Sequence, residues 1–301
     1  MGEFILIVGT GAMACLLAAR LALSGQAVRM LGTWEAGIGA IQARGIRLTT
    51  GDGQVQTIRV LATSSLDQVA GAPFALVLVK SWQTARAAEQ LKNCLHPQGV
   101  ALTLQNGLGN REILADSLGA ERSAAGMVTI GATLLGPGDV RAGGEGEIVV
   151  EASARLEPWL PALYRAGLAV RTDADFTVAL WQKLAINAAI NPLTALLEVP
   201  NGALLASPHA RQLIQATVDE TVRVARAIGI NLDPLRLEEA VWQVARKTAA
   251  NRSSMLQDVL RGAPTEIEAI NGFICRTGSR LGILTPINQT MVHLIKAKIS
   301  L

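Results

Sequence analysis

The sequence predicts an α/β fold: an N-terminal doubly wound sheet followed by an all-helical C-terminal domain. Strand-like and helix-like segments alternate over the first half, a glycine-rich turn joins the first strand to the first helix, and strand patterns stop after Asp173. A length of 301 residues fits two domains of about 150 residues each. We therefore expect residues 1–173 and 174–301 to form the two domains.

In the first half, short apolar β runs are separated by helical segments. The predicted elements are strand Phe4–Val8, helix Ala12–Ser24, strand Ala27–Leu31, a hairpin of Ile46–Thr50 and Val55–Val60, strand Phe74–Val79, helix Ala85–Leu95 and strand Val100–Gln105. This alternation predicts a mostly parallel sheet. The glycine-rich segments of Met127–Glu151 are expected to close its far edge as antiparallel strands, before a last strand at Ala169–Arg171.

The second half has helical patterns alone. We expect helices over about 175–198, 209–228, 235–250 and 266–281, and a terminal helix after Pro286.

The turn after the first strand has the pattern GxGxxA. It consists of Gly9, Thr10, Gly11, Ala12, Met13 and Ala14. In a dinucleotide fingerprint the first glycine permits the tight turn, the second lets the pyrophosphate approach the backbone, and the third small residue lets the helix pack on the sheet. At the first strand–helix junction of an alternating domain, this pattern predicts a Rossmann-type cofactor site.

The end of the second strand bears on the choice between NAD and NADP. NAD enzymes usually have an acidic residue here for the ribose diol, whereas NADP enzymes have an arginine nearby. Thr33 is suited to a 2′-phosphate, and Arg29 or Arg44 to adding charge, while Glu35 favours NAD. These residues alone leave the choice open.

Polar residues also follow two other predicted strands. Lys80 comes after Phe74–Val79, and Asn106 begins an NGLG segment after Val100–Gln105. Open α/β sheets bind ligands outside the carboxyl ends of their strands, so both residues are candidates for cofactor contact and Asn106 also for substrate contact. Taken alone, NGLG is also typical of an ordinary turn.

A polar stripe runs along the first predicted helix of the second half. Lys183, Asn187 and Asn191 recur every fourth residue in an otherwise apolar segment, which puts their side chains on one helix face. Asparagine is a poor helix former, so the pattern indicates a lined pocket rather than a merely solvated edge. The solvated edge remains the alternative.

Two further segments combine polar residues with ordinary structural explanations. NRSSMLQD, residues 251–258, offers two hydroxyls, and an N-cap at Ser253 or Ser254 accounts for them. Glu266 is expected in the first turn of the next helix, where a carboxylate also stabilises the helix dipole.

Composition argues against several classes of function. The balance of 27 Lys+Arg against 24 Asp+Glu, without a basic run, argues against nucleic acid. Cys15, Cys94 and Cys275 are isolated, as in a reduced cytoplasmic protein, and the three histidines lack metal-ligand spacing, so no metal is expected. No segment has the roughly 18 apolar residues of a membrane span, and we expect a soluble protein.

Several segments occur in the order typical of one enzyme family. They are the glycine-rich turn, KSW at 80–82, QNGLG at 105–109, LWQKLAINAAINPLTA at 180–195, PNGAL at 200–204, NRSSMLQD at 251–258 and TEIEAINGF at 265–273. Across nearly the whole chain, the sequence thus resembles the ketopantoate reductase (2-dehydropantoate 2-reductase) family. The resemblance implies a Rossmann domain joined to a helical substrate-binding domain, and NADPH-dependent reduction of ketopantoate in pantothenate, hence coenzyme A, synthesis.

The resemblance also assigns residues. The catalytic lysine falls on Lys183, the active-site glutamate on Glu266, and the substrate-binding residues on Asn106, Asn187, Asn191 and Ser254. The implied partner is a small 2-keto acid, with no nucleic acid or membrane, and the implied assembly a monomer or homodimer. Ala14 stands where many members have glycine. Thr33 stands where many have the arginine for the NADP phosphate, so we expect a reduced preference for NADPH over NADH.

Three other functions remain open. A family member acting on a different branched 2-keto acid would show the same motifs. A hydroxyacid dehydrogenase of the phosphogluconate type also places Lys and Asn four apart on a helix, but it would not explain SSMLQD and Glu266 in this order. A non-enzymatic NADP-binding sensor would have no need of a proton donor at Lys183.

Overall fold

The computed structural model describes residues 3–300, which separate into two compact units. The first contains the described chain up to Gln105 together with Asn110–Phe176, and the second contains Asn106–Gly109 and the described chain from Thr177 onwards. Only the NGLG segment is assigned away from its neighbours in sequence. The assignment of one unit to cofactor binding and the other to substrate binding remains a prediction.

The first unit contains all the described strands and five α-helices. The strands are β1 (Ile5–Val8), β2 (Val28–Leu31), β3 (Ile46–Thr49), β4 (Val55–Ile58), β5 (Leu61–Thr63), β6 (Ala72–Val77), β7 (Leu95–Thr103), β8 (Ser123–Val128), β9 (Gly131–Gly136), β10 (Asp139–Gly143), β11 (Glu147–Val150) and β12 (Ala169–Thr172). The helices are α1 (Ala12–Leu23), α2 (Glu35–Arg44), α3 (Thr84–Cys94), α4 (Asn110–Leu118) and α5 (Leu160–Arg165).

The main sheet has the order β12-β11-β8-β7-β6-β1-β2-β5. All neighbouring strands are parallel except the pair β11 and β8. Both faces of β1 are buried: Ile5 and Ile7 pack in one apolar cluster, Leu6 and Val8 in another. Strands with helices on both faces need such continuous apolar runs. The predicted doubly wound α/β fold is confirmed.

A second sheet, with the order β4-β3-β10-β9, corrects the prediction for Met127–Glu151. Only β8 and β11 from that region join the main sheet, whereas β9 and β10 pair with each other and β10 pairs with β3. The physical reason lies in α1, which is apolar nearly all round and has to be covered on more than one side. Apolar residues of the second sheet, such as Leu48 and Val140, share a cluster with α1.

Three helices and one strand of this unit are not among the elements predicted from the sequence. Helix α2 contains Gly37 and Gly39, and α4 directly follows the glycines of NGLG, so neither shows a clear helical period. Helix α5 has six residues, too few to show one. The strand predicted at Val55–Val60 is β4, which completes the hairpin with β3, whereas the unpredicted β5 follows that segment and pairs with β2.

The second unit is helical throughout its described regular elements. Its helices are α6 (Phe176–Leu197), α7 (Pro208–Ala227), α8 (Pro234–Lys247), α9 (Ser254–Leu260), α10 (Asn271–Arg280) and α11 (Pro286–Ser300). Helices α7 and α8 begin at a proline behind a capping side chain, Ser207 or Asp233, which accepts backbone N–H groups of the first turn. The bounds of α6, α7, α8 and α11 agree with the prediction within a few residues, α10 begins later than predicted, and α9 is not among the predicted helices.

Candidate active site

The glycine-rich turn has the geometry required for a dinucleotide. Gly9 has φ 128° and lies against the backbone of Leu78, 3.1 Å from where its Cβ would be, so a side chain would be strained and crowded. A Cβ at Gly11 would meet nothing within 4 Å, which leaves open space beside the backbone. Gly11 is the N-cap of α1 and has no side chain to accept the backbone N–H groups of the first helical turn. Those N–H groups are therefore suited to bind a pyrophosphate. These residues fit a dinucleotide.

The loop after β6 lies at the sheet edge that carries the glycine-rich turn, and a buried cluster of polar side chains holds it in place. The Gln105 amide donates to the Val79 carbonyl (2.9 Å) and to the Thr84 hydroxyl (2.8 Å), and that hydroxyl lies 2.9 Å from the Asn110 side-chain oxygen. Lys80, partly exposed, directly follows Val79. Because β1 and β6 are parallel neighbours, Lys80 lies at the carboxyl edge that also carries the glycine-rich turn.

The side chains near the end of β2 have hydrogen-bond partners that the sequence does not predict. Arg29 donates to the Gln68 carbonyl (2.7 Å) and stacks over the Phe4 ring, while Arg44 donates to the Pro137 carbonyl (2.7 Å). Each of these guanidinium groups thus donates to a backbone carbonyl, and their approach to a 2′-phosphate remains a prediction. Thr33 instead accepts a hydrogen bond from Arg86.

The polar stripe lies on α6, which is helical through its whole length although it contains Pro192. Lys183 and Asn187 are partly exposed, and Asn191 is 7% exposed. The decreasing exposure argues against a solvated edge, since such an edge would be open along its length.

The proline in α6 has its missing hydrogen bond replaced by a side chain. Pro192 lacks the N–H that would bond to the carbonyl of Ala188 four residues earlier. The side-chain amide of fully buried Asn271, the first residue of α10, donates to this carbonyl at 3.1 Å. The turn before the proline therefore stays helical, which keeps Asn191 in register with Lys183 and Asn187.

Asn271 is itself fixed by a buried network. Its amide also donates to the Asn288 side-chain oxygen (3.0 Å), and Asn288 donates to the Glu220 carboxylate through its side-chain amide (2.8 Å) and its backbone N–H (3.0 Å). Glu220, 3% exposed, also accepts the backbone N–H of Ile287 and so caps the start of α11. Three helices thereby support the helix that carries Lys183.

Glu266 lies near the lysine, in a turn rather than in a helix. The carbonyl of Glu266 accepts from the N–H groups of Ala269 and Ile270, and α10 begins only at Asn271. The prediction that Glu266 occupies the first turn of a helix is therefore wrong, and a helix-dipole role does not apply. Glu266 is 6% exposed, and its carboxylate accepts a hydrogen bond from the Asn106 amide at 3.1 Å.

The NGLG segment is docked on that turn. The backbone N–H of Leu108 donates to the Ala269 carbonyl at 3.0 Å. Gly107 has φ 81°, and a Cβ there would overlap the Ala269 carbonyl, so only glycine fits. The segment therefore fixes Asn106 against Glu266 and is more than an ordinary turn.

The environment of Lys183 alters its acidity. Burial lowers the pKa of Lys183 to about 8, and the nearby Glu266 carboxylate acts against this decrease. A lysine with a pKa of about 8 holds a proton at neutral pH and releases it readily, as a general acid requires.

The two serine hydroxyls of NRSSMLQD lie in different environments, one buried and one exposed. Ser253, 6% exposed, caps α9 by accepting the Leu256 N–H (3.1 Å), and its hydroxyl lies 2.7 Å from that of Thr194 on α6. This confirms the capping explanation for Ser253. Ser254, the first residue of α9, is exposed, which leaves its proposed substrate contact as a prediction.

Sequence reasoning found Lys183, Glu266 and Asn106, which the second unit brings together, but it missed the residues that support them. Asn271 had one available signal, since a proline inside a helix requires another donor for a carbonyl one turn back. Residues 3–300 contain no group of His, Cys, Asp and Glu able to hold a metal ion, and no helix in that range is long and apolar enough to cross a membrane.

Family models match both parts of the chain. Residues 5–155 match the model described as Ketopantoate reductase PanE/ApbA, and residues 175–299 match its C-terminal counterpart. The 2-dehydropantoate 2-reductase of Halobacterium salinarum is 34% identical over 298 residues, covering 97% of each chain. That of Archaeoglobus fulgidus is 34% identical over 295 residues, covering 96% of each.

A solved structure agrees with these sequence matches. The crystal structure of a PanE/ApbA family ketopantoate reductase from Ralstonia eutropha JMP134 superimposes with a TM-score of 0.92 at 32% identity, covering 99% of each chain.

Proposed function

The chain belongs to the ketopantoate reductase family, and we propose that it is an NADPH-dependent 2-dehydropantoate 2-reductase that converts ketopantoate into (R)-pantoate. In this family the reaction belongs to pantothenate and coenzyme A biosynthesis. One observation carries the proposal: Lys183, its pKa lowered to about 8, lies within the electrostatic reach of buried Glu266, which Asn106 holds by a hydrogen bond.

The reaction combines a hydride with a proton. When bound, NADPH supplies the hydride to C2 of the keto acid, and negative charge grows on the carbonyl oxygen. The Lys183 ammonium stabilises that charge and donates its proton to the oxygen, which gives the hydroxyl of pantoate. A pKa of about 8 leaves most Lys183 side chains protonated at neutral pH.

Glu266 keeps the lysine charged. Burial alone favours the neutral amine, and the carboxylate opposes this by favouring the ammonium. Asn106 directs one carboxylate oxygen through its 3.1 Å hydrogen bond, and Gly107 holds Asn106 by docking on the turn after Glu266. We propose that this arrangement orients the proton toward the substrate.

The remaining amides and hydroxyls are proposed to bind the substrate's oxygens. Ketopantoate has a carboxylate, which Asn106 and exposed Ser254 are suited to bind, and a terminal hydroxyl, which suits Asn187 and Asn191. The shared face of α6 carries the two asparagines one and two turns beyond Lys183, so one small molecule can contact all three.

NADPH is the proposed cofactor. The turn from Gly9 through Thr10, Gly11, Ala12 and Met13 to Ala14 is proposed to bind the pyrophosphate at the start of α1. Lys80, at the same sheet edge, and Thr33, after β2, are proposed as further contacts. The cofactor requires no metal.

The setting of the enzyme is part of the proposal. Cys15, Cys94 and Cys275 are free thiols, which is typical of a reducing compartment, so we propose a cytoplasmic location. A 2-keto acid is the expected small-molecule partner, and the assembly is proposed to be a monomer or a homodimer.

A substrate panel tests this function. Purified protein is assayed by NADPH absorbance with ketopantoate and with other branched 2-keto acids, including 2-ketoisovalerate, which lacks the terminal hydroxyl. We expect the highest kcat/KM for ketopantoate, because Asn187 and Asn191 are left unpaired by the analogue. A higher kcat/KM for another keto acid would identify a different substrate, and cofactor binding without turnover of any would indicate a sensor.

A further inference from the structure

An arginine from a distant part of the sequence, Arg86, lies at the expected adenosine end of the cofactor site, beside the residue that follows β2. In a doubly wound domain the adenosine ribose lies beside the end of β2, near the pyrophosphate turn. Gly32, the residue after β2, donates its N–H to the Thr63 carbonyl (3.0 Å), and a Cβ there would lie 2.8 Å from the Thr10 methyl group. Thr33 is therefore held immediately beside the turn.

Arg86 reaches this position from α3. Its Nη2 donates to the Thr33 hydroxyl oxygen at 2.8 Å, across 53 residues of sequence, and both side chains are exposed. Within residues 3–300 no carboxylate forms an ion pair with Arg86. One of its five N–H groups is used by Thr33, so the others remain able to donate.

The backbone beneath Arg86 is rigid. Helix α3 begins at Thr84, which is fully buried and bonded to Gln105, and Ala87 and Ala88 are buried against the sheet. The first turn of α3 contains no acidic residue, although a helix N-terminus favours one. An arginine here adds its charge to the positive end of the helix dipole, which favours an anion at this point.

The pair also presents complementary hydrogen-bond donors. The Thr33 oxygen accepts from Arg86, so its hydroxyl hydrogen can donate to a further acceptor, and the guanidinium supplies charge beside it. Arg29 and Arg44 are bonded to backbone carbonyls elsewhere. We propose that Arg86, together with Thr33, binds the 2′-phosphate of NADPH and gives this chain its preference for NADPH over NADH.

This inference rests on the proposed NADPH-dependent function, and binding measurements separate the two. Isothermal titration calorimetry gives the Kd of NADP⁺, NAD⁺, 2′,5′-ADP and 5′-ADP for the unmodified protein, for Arg86→Gln and for Arg59→Gln. The last variant is the matched control, since Arg59 is likewise an exposed arginine of the same unit, and it donates to the Ala43 carbonyl at 2.9 Å. Thermal melts verify folding of each variant.

We expect Arg86→Gln to raise the Kd of NADP⁺ and of 2′,5′-ADP by about 10- to 100-fold, which is the contribution of one charge-assisted hydrogen bond. The Kd values of NAD⁺ and 5′-ADP should change by less than about twofold in Arg86→Gln, and Arg59→Gln should leave all four Kd values unchanged. Arg86→Lys should restore part of the lost affinity by returning the charge. Thr33→Val should weaken the two 2′-phosphorylated ligands alone, by less than Arg86→Gln.

Three results would overturn the inference: unchanged 2′,5′-ADP binding in Arg86→Gln, equal weakening of NAD⁺ and NADP⁺ binding in that variant, or an equal effect of Arg59→Gln. In each of these cases the proposed function stands as long as the unmodified enzyme reduces ketopantoate with NADPH. Failure of the unmodified protein to bind any of the four ligands would reject the proposed function itself.

Discussion

The pH dependence of turnover follows from the environment of Lys183. If its ammonium donates the proton, kcat/KM for ketopantoate reduction is proportional to the protonated fraction of the free enzyme. With a pKa of about 8, that fraction falls from about 90% at pH 7 to about 10% at pH 9. We expect kcat/KM to be nearly constant below pH 7, to fall about tenfold between pH 7 and 9, and to keep falling tenfold per unit.

Glu266→Gln tests the cause of this behaviour. The carboxylate raises the pKa of Lys183 against the effect of burial, so its removal leaves burial unopposed and moves the fall in kcat/KM to a pH below 8. Glutamine keeps the shape of the side chain and an oxygen for the Asn106 amide, so the hydrogen bond at 3.1 Å is retained. Only the charge is lost.

The assay is the initial rate of NADPH consumption at low ketopantoate from pH 6 to 10, with cofactor saturating. Lys183→Met is the control, and its residual rate should not fall through this range. The substrate carboxylate is ionised throughout and contributes no slope. A midpoint unchanged or raised in Glu266→Gln, or a flat profile in the unmodified enzyme, would refute the reasoning.

Three further predictions follow from the second unit. Asn187→Ala and Asn191→Ala should raise KM for the keto acid and lower kcat without unfolding the protein; loss of several kcal/mol in denaturant unfolding with normal kinetics would make them structural residues instead. Asn271→Ala should cost roughly 2–5 kcal/mol in urea unfolding, because it leaves the Ala188 carbonyl and one further buried acceptor unpaired; a loss below about 1 kcal/mol contradicts that role. Gly107→Ala should lower kcat/KM by about 100-fold through displacement of the NGLG segment, and unchanged kinetics would show that the docking is not required.

Local patterns account for the parts of the fold that the sequence predicts. Strand β1, the glycine-rich turn and α1 follow one another within twenty residues, and the period of Lys183 and Asn191 is visible in a single helix. Both depend on neighbours along the chain, which is why periodicity finds them.

Pairing between distant segments explains what the sequence could not predict. Strand β3 finds its partner β10 about ninety residues later, and no local pattern distinguishes that partner from the main sheet. Ile270 has an unusual conformation, φ −101° and ψ −94°, which delays α10 and leaves Glu266 in a turn, although the segment has helical composition. Arg86 meets Thr33 only because α3 and the end of β2 lie at one sheet edge.

The central claim is that Lys183 donates the proton in NADPH-dependent reduction of ketopantoate. The most direct test compares kcat for ketopantoate and the Kd of NADP⁺ in the unmodified enzyme and in Lys183→Ala and Lys183→Met. We expect kcat to fall at least ~100-fold in both variants. The Kd of NADP⁺ should stay within about twofold of the unmodified enzyme's, because Lys183 is expected to contact the substrate and not the cofactor. A kcat that survives while only cofactor binding weakens would contradict the claim.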